Sequence, residues 1–407
     1  MIRLLCRSRR SQARRTIATA VVGVVLATAC TNGRADDAVA GGSRTPEVVA
    51  VPTVTAGARE GNTSALDNPD SPALPAPLID LDELISGGPP PDGIPSIDRP
   101  VFLRADSADF LKDKEPVLAL EVDGEARAYP VQVLIWHEIV NDVVAGVPLA
   151  VTYCPLCNSA LAFDRRLGER ILEFGTSGKL YRSALVMYDR QTESLWSHFT
   201  GEAVAGTLTG SRLDTYPVST VSWAQFRDAN PDGLVLSRDT GFDRDYGRNP
   251  YPGYDDVNTA PFLFRGETDG RLPAKTRIVG IEIDGDAVAI KLDDLARRGV
   301  VEVTVAGRPI VVFHRPGTAS ALDAASVDDG VDVGTTGVFV ARVDGTSTTF
   351  KARNGVFVDA HTSTAWDVLG RATTGVSNAG AVLEPVVHVD TFWFAWAAFR
   401  PASRIVG

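Results

Sequence analysis

Val117-Leu118-Ala119-Leu120-Glu121-Val122-Asp123-Gly124-Glu125-Ala126 is an alternating apolar run interrupted by Asp-Gly, the pattern of two strands joined by a tight turn. The pattern returns as Ile278-Val279-Gly280-Ile281-Glu282-Ile283-Asp284-Gly285-Asp286-Ala287. Further matches follow in the same order. Val144-Ala145-Gly146-Val147-Pro148-Leu149-Ala150-Val151 corresponds to Val305-Ala306-Gly307-Arg308-Pro309-Ile310-Val311-Val312, and Asp189 with Trp196 corresponds to Asp359 with Trp366. Trp223, Phe226 and Arg227 correspond to Trp396, Phe399 and Arg400. Collinear matches of this kind are the signature of an internal repeat. The expected fold is therefore a β-rich α+β domain, internally duplicated as two similar strand-rich repeats about a pseudo-twofold. The repeats cover 116–240 and 276–403, and a connecting insert covers 241–275. Each repeat is mainly short strands with one or two brief helices, such as Lys291 to Arg298. The four repeated tryptophans read as core packing.

Outward from the repeats, residues 78–407 make up the globular part. Residues 30–77 are rich in Gly, Ala, Ser, Thr, Asp and Pro without a lasting apolar period, and read as a flexible tether. Before them, Arg3, Arg7, Arg9, Arg10, Arg14 and Arg15 precede an uncharged stretch from Thr16 to Ala29. A basic start, a short apolar core and small residues before a cleavage point read as a secretory signal, too short to span a bilayer as a helix. Cys30 follows Ala27-Thr28-Ala29. The arrangement resembles the bacterial lipoprotein box, with 1–29 as signal peptide and Cys30 as the lipidated residue, although Ala27 stands where that box usually has Leu. The expected location is the extracytoplasmic face of the cell membrane, held to the lipid bilayer through Cys30.

The 407 residues are 44% apolar and 22% charged, which suits folded domains rather than a disordered chain. Removing 1–29 takes away six of the 40 basic residues and none of the 51 acidic ones, leaving a net charge of −17. Such a surface gives no footing to nucleic acid and little to anionic lipid, so attachment rests on the acyl chains. Of the four cysteines only Cys30, Cys154 and Cys157 remain after cleavage.

Cys154 and Cys157 sit in Tyr153-Cys154-Pro155-Leu156-Cys157-Asn158. A disulfide here closes a ring of four residues, worth about 2 kcal/mol by loop entropy against about 3 kcal/mol for fifteen, so it is a poor staple. Cys-Pro-x-Cys suits thiol exchange, with Cys154 as nucleophile and Cys157 resolving, but no thioredoxin-like βαβ pattern surrounds it. Two thiolates are also half of a tetrahedral metal shell. The five histidines are His137, His198, His314, His361 and His388, and the two in the first repeat, His137 and His198, are the candidate further ligands. Cys154, Cys157, His137 and His198 together suit zinc or copper. Cys154, Cys157 and His137 are the candidate catalytic residues of a redox site. In the second repeat the place of Cys154 falls on His314 and that of Cys157 on Gly317. Glu138 and Asp142 read as a solvated helix face, with a hydrolytic acid–base role as a distant alternative. The stretch Thr240 to Asp256 reads as an ordered surface connector whose tyrosines alternatively cover a pocket.

Ala126-Arg127-Ala128-Tyr129-Pro130, His137-Glu138-Ile139-Val140-Asn141-Asp142, Tyr153 to Asn158, and Met187-Tyr188-Asp189-Arg190 resemble the signatures of the secreted bacterial and archaeal domain-of-unknown-function family numbered 3179. Gly87 to Pro95 and Asp245-Tyr246-Gly247 are similar to it as well. The resemblance covers about 80 to 403. It implies no settled activity, and it groups His137, Cys154, Cys157 and Asp189 as one constellation. Two functions are expected from these readings. One is a thiol redox or thiolate-metal site at Cys154/Cys157, and the other is a non-catalytic envelope binding or assembly module with a structural CxxC. No nucleophile elbow, P-loop, dinucleotide fingerprint or HExxH occurs, which removes the common nucleotide and zinc-protease chemistries.

Overall fold

The quoted Asp-Gly run folds as the hairpin its alternation requires. Strand β1 (Pro116–Val122) pairs antiparallel with β2 (Glu125–Pro130), and Asp123 and Gly124 take φ of 47° and 81° at the turn. Two successive positive-φ residues are the turn that matches strand twist, which is why Asp-Gly marks it. This computed structural model describes residues 47–61, 63–374 and 380–407, and Arg44–Gly407 form one compact unit. The signal peptide, Cys30 and the first part of the tether lie outside the described residues. None of the described helices is long and apolar enough to cross a membrane.

Helix α1 (Val131–His137) follows β2 directly, and strands β3 (Ile139–Val144), β4 (Val147–Cys154) and β5 (Ser159–Asp164) follow it as an antiparallel meander. A second sheet contains β6 (Phe174–Tyr181), β7 (Ala184–Asp189) and β8 (Leu195–Ser197), with Leu84–Ser86 on the outer side of β6. Helix α2 (Trp223–Ala229) starts with a capping box between Ser222 and Gln225. In the second half, β9 (Arg277–Ile283) and β10 (Asp286–Lys291) form the other Asp-Gly hairpin. Helix α3 (Leu292–Arg298) and strands β11 (Val300–Val305), β12 (Arg308–Arg315) and β13 (Thr335–Val340) come next. Strand β14 (Val389–Phe392) leads into helix α4 (Trp393–Phe399).

The molecule is thus β-rich with few helices. Strands β3 to β5 are buried nearly end to end, and their apolar residues share one core with Phe392, Trp393 and Trp396 of the second half. Trp196, Trp223, Trp366 and Trp396 are all buried, as core residues should be. Described residues of the stretch read as tether do not hang free. Val48 and Val49 pair with Leu103 and Phe102, Glu60 N donates to Gln191 O, and Ala65 is 0% exposed. Its average composition hides a few apolar residues, Leu66 and Leu74 among them, that pack on Tyr181 and Val186.

Candidate functional site

The CxxC motif is the loop of the β4–β5 hairpin. Cys154 ends β4 and stands opposite Ser159 in the ladder. Pro155 to Asn158 make the turn, closed by Asn158 N donating to Pro155 O at 3.2 Å, with Asn158 at φ 50°. A four-residue connection brings both sulfurs to one end of the hairpin, where they are free thiols at 1% and 0% exposure.

Their surroundings treat the two sulfurs differently. Burial alone raises the Cys154 thiol, but the neighbouring Cys157 side chain and the backbone N–H groups of Cys157, Leu185 and Leu156 together hold it below the usual thiol range. Burial and the neighbouring Cys154 sulfur push Cys157 well up. Cys154 is therefore the more acidic thiol of the pair.

Cys157 Sγ also lies 3.0 Å from Ser159 Oγ, which lies 2.8 Å from His198 Nε2. His198 Nδ1 is 3.0 Å from Thr152 Oγ1, and Thr152 donates its one hydroxyl proton to Leu161 O at 2.9 Å. That last bond fixes every direction. Thr152 accepts from His198 Nδ1–H, His198 Nε2 accepts from Ser159, and Ser159 accepts from the Cys157 thiol. Burial lowers His198 to about 3, so the ring is neutral.

His137 is elsewhere employed. Its Nδ1 donates to Pro95 O at 2.7 Å and its Nε2 accepts from Tyr246 OH at 2.6 Å. Burial lowers it to about 4. The ligand set expected for zinc or copper is therefore not assembled. Both nitrogens of His137 and both of His198 are taken by other partners, and no described group of three or more His, Cys, Asp or Glu is disposed to hold a metal. Cys154 and Cys157 come together, His198 reaches Cys157 through Ser159, and His137 braces the loop ending at Pro95.

The expectation of a solvated helix face for Glu138 and Asp142 is corrected. Helix α1 stops at His137, and Glu138 takes φ 59° and ψ −30° before β3 begins. Glu138 is 8% exposed, and no hydrogen bond from its carboxyl is present among the described residues. Burial, and then the charge of Cys154, raise it well above the usual carboxylate range. Asp142 is structural, accepting Tyr129 OH at 2.7 Å and Val143 N at 2.7 Å. Asp189, grouped with the thiols by the resemblance, instead accepts from Thr192 N, Thr192 Oγ1, Ser194 N and Trp196 Nε1 and fixes the turn after β7.

The segment read as a connector covers the site. Tyr254 OH donates to Leu156 O at 2.8 Å, and Tyr254 N to Leu322 O at 3.0 Å. A cavity of about 140 Å³ is lined by Glu138, Leu156, Leu185, Tyr251, Phe262 and Leu263. Sequence reasoning missed Ser159, Thr152 and this cover. Ser159 was within reach, since it opens the strand directly after the CxxC turn, whereas a contact from residue 254 to residue 156 leaves no local signal.

Two bonds in the two halves are alike: Tyr153 N donates to Glu138 O, and His314 N donates to Gly299 O. The sequence model of one family, described as "Protein of unknown function (DUF3179)", matches residues 91–403. No curated protein and no solved structure matches the chain.

Proposed function

The chain belongs to the DUF3179 family of proteins of unknown function, and from that premise we propose that its first half carries a dithiol–disulfide exchange site, with Cys154 as nucleophile and Cys157 as resolving thiol. The observation that carries this reading is the tight β4–β5 turn, which holds Cys154 and Cys157 together as free thiols at one end of the hairpin. Their surroundings lower the first thiol and raise the second, which is the asymmetry an exchange pair needs. Burial and the neighbouring Cys154 sulfur keep the second thiol protonated, and its contact with Ser159 Oγ holds it in place until the first has reacted.

The test is timed alkylation of the purified full chain with iodoacetamide, read peptide by peptide. Cys154 is expected to react first, at a pH below that of an ordinary thiol, and oxidised glutathione should convert the pair reversibly to a bridge. A pair that reacts only after denaturant unfolds the chain overturns this reading. That result would favour the second one, a non-catalytic envelope module with local bracing. Its support is the near-complete burial of both sulfurs and the two donors, Thr391 Oγ1 at 2.7 Å and Phe392 N at 3.1 Å, that fasten Cys157 O to the second half.

The internal duplication belongs to the same proposal. It is supported by matching bond sets. Asp359 accepts from Thr362, Thr364 and Trp366 as Asp189 does from Thr192, Ser194 and Trp196. One copy then keeps the thiols and the other serves as its support. The Arg-rich start and the run to Ala29 support a lipidated Cys30 and an extracytoplasmic, membrane-anchored location, an oxidising setting in which a dithiol has partners to exchange with.

A further inference from the structure

We propose, resting on the exchange reading above, that Glu138 is the proton carrier of the thiol pair and that the cavity beside it receives the disulfide-bearing group of the substrate. Three independent features of the structure lead there.

The first is the backbone. Glu138 ends helix α1 in the left-handed region, where a residue with a Cβ is held at a cost and Gly is the usual occupant. At the end of α3 the same position, with φ 72° and ψ −27°, is Gly299. The flanking bonds agree. Glu138 N donates to Leu134 O and Gly299 N to Leu295 O, both at 2.7 Å. The first half thus retains a strained carboxylate where the second uses the unstrained residue, and strain of this kind is kept where a side chain is needed.

The second feature is the side chain itself, which is 8% exposed, lines the cavity and has no hydrogen bond among the described residues. Its oxygens are not among the sealed, unpartnered polar atoms of the described residues, so the carboxyl is open to the cavity, where an entering group can meet the acid. The third is position. Glu138 O accepts from Tyr153 N, next to Cys154; the charge of Cys154 acts on the carboxyl, and the charge of Glu138 acts on Cys157. Neither sulfur lines the cavity, but Leu156, which stands between the two cysteines in the turn, and Leu185, whose backbone acts on Cys154, are walls of it.

The exchange then balances as follows. The Cys154 thiolate attacks one sulfur of a substrate disulfide, a Cys154–substrate S–S bond forms and the substrate S–S bond breaks. The departing thiolate takes the proton of the Glu138 carboxylic acid. The Glu138 carboxylate next accepts the Cys157 proton, and the Cys157 thiolate attacks the Cys154 sulfur. The second substrate sulfur leaves as a thiolate, and the chain holds a Cys154–Cys157 disulfide and a protonated Glu138. Two electrons have passed from the dithiol to the substrate. With Leu156, Leu185, Phe262 and Leu263 as walls, the cavity suits an apolar disulfide about the size of one side chain.

The probe is 4,4′-dithiodipyridine, a small apolar disulfide, mixed with the full-length chain, and pyridinethione release is followed by absorbance. Wild type is expected to release one equivalent as Cys154 reacts and a second as Cys157 closes the bridge. In Glu138→Gln the second phase should slow by at least about tenfold and lose its pH dependence, with the first changed little. In Glu138→Gly the second phase should slow equally and be restored by added formate, while the melting temperature rises by about 2 °C or more as backbone strain is released. A Gln variant whose second phase matches wild type, or a Gly variant insensitive to formate, overturns the role of Glu138 and leaves the exchange reading standing. A wild type that releases no pyridinethione overturns both.

Discussion

At the scale of single residues, the site is set by where protons sit. The chain from Cys157 through Ser159, His198 and Thr152 to Leu161 O has one consistent direction, and it begins with the Cys157 thiol as donor. It works only while His198 is neutral. The folded chain keeps it so down to about pH 3, whereas an unfolded His takes up its proton near 6.5. Between those values the unfolded state binds more protons. The stability this ring contributes is therefore whole above pH 6.5 and is lost as pH falls, by up to about 1.4 kcal/mol per unit. His198→Gln removes the titration. The advantage of wild type over this variant, measured by urea unfolding, should narrow by about 2 kcal/mol between pH 7 and pH 5. A constant difference would mean that His198 titrates in the fold as it does in the unfolded chain. That Cys154 and Cys157 lie together was legible from their spacing alone. The displacement of His137 was not, because its partners Pro95 and Tyr246 are 42 and 109 residues away in sequence.

At the scale of elements, alternation and Asp-Gly turns locate the hairpins with little ambiguity, since period two and a positive-φ turn are local properties. The helix at Lys291 to Arg298 was legible for a similar reason, and the observed α3 starts one residue later. What local pattern concealed was the end of α1. His137 to Asp142 has a plausible helical face, yet Glu138 reverses the backbone and β3 carries Asn141 and Asp142 into the interior. The turn after β7 gives a test that separates framework from chemistry. Asp189 is buried and accepts from two backbone amides, one hydroxyl and one indole. Asp189→Asn points an amide at donors and should cost about 1–3 kcal/mol in denaturant unfolding. The alkylation rate of Cys154 in the folded variant should stay within about twofold of wild type. A collapse of that rate with stability intact would return Asp189 to the thiol constellation.

At the scale of the whole molecule, the reading is of a thiol-bearing half, a supporting half and a cover laid over the first. Average composition served poorly here. It marked 30–77 as a tether although part of it is laid along the domain, and it marked 241–275 as a connector although Tyr251 and Tyr254 close over the CxxC turn. Both are cases in which a few anchoring residues outweigh a polar majority. The proposed anchor is tested by fractionation of cells producing the full chain, where Cys30→Ser is expected to shift the protein from the membrane fraction to the soluble extracytoplasmic fraction. Retention in the membrane fraction would refute lipidation as the tether. The carbonyl of Cys157 carries a broader implication. It is grasped by Thr391 and Phe392, which open the strand leading into α4. Under the proposed exchange, a bond made between the sulfurs would act on a seam joining two parts of the chain far apart in sequence, and the oxidation state of two atoms would reach α4 through a single carbonyl.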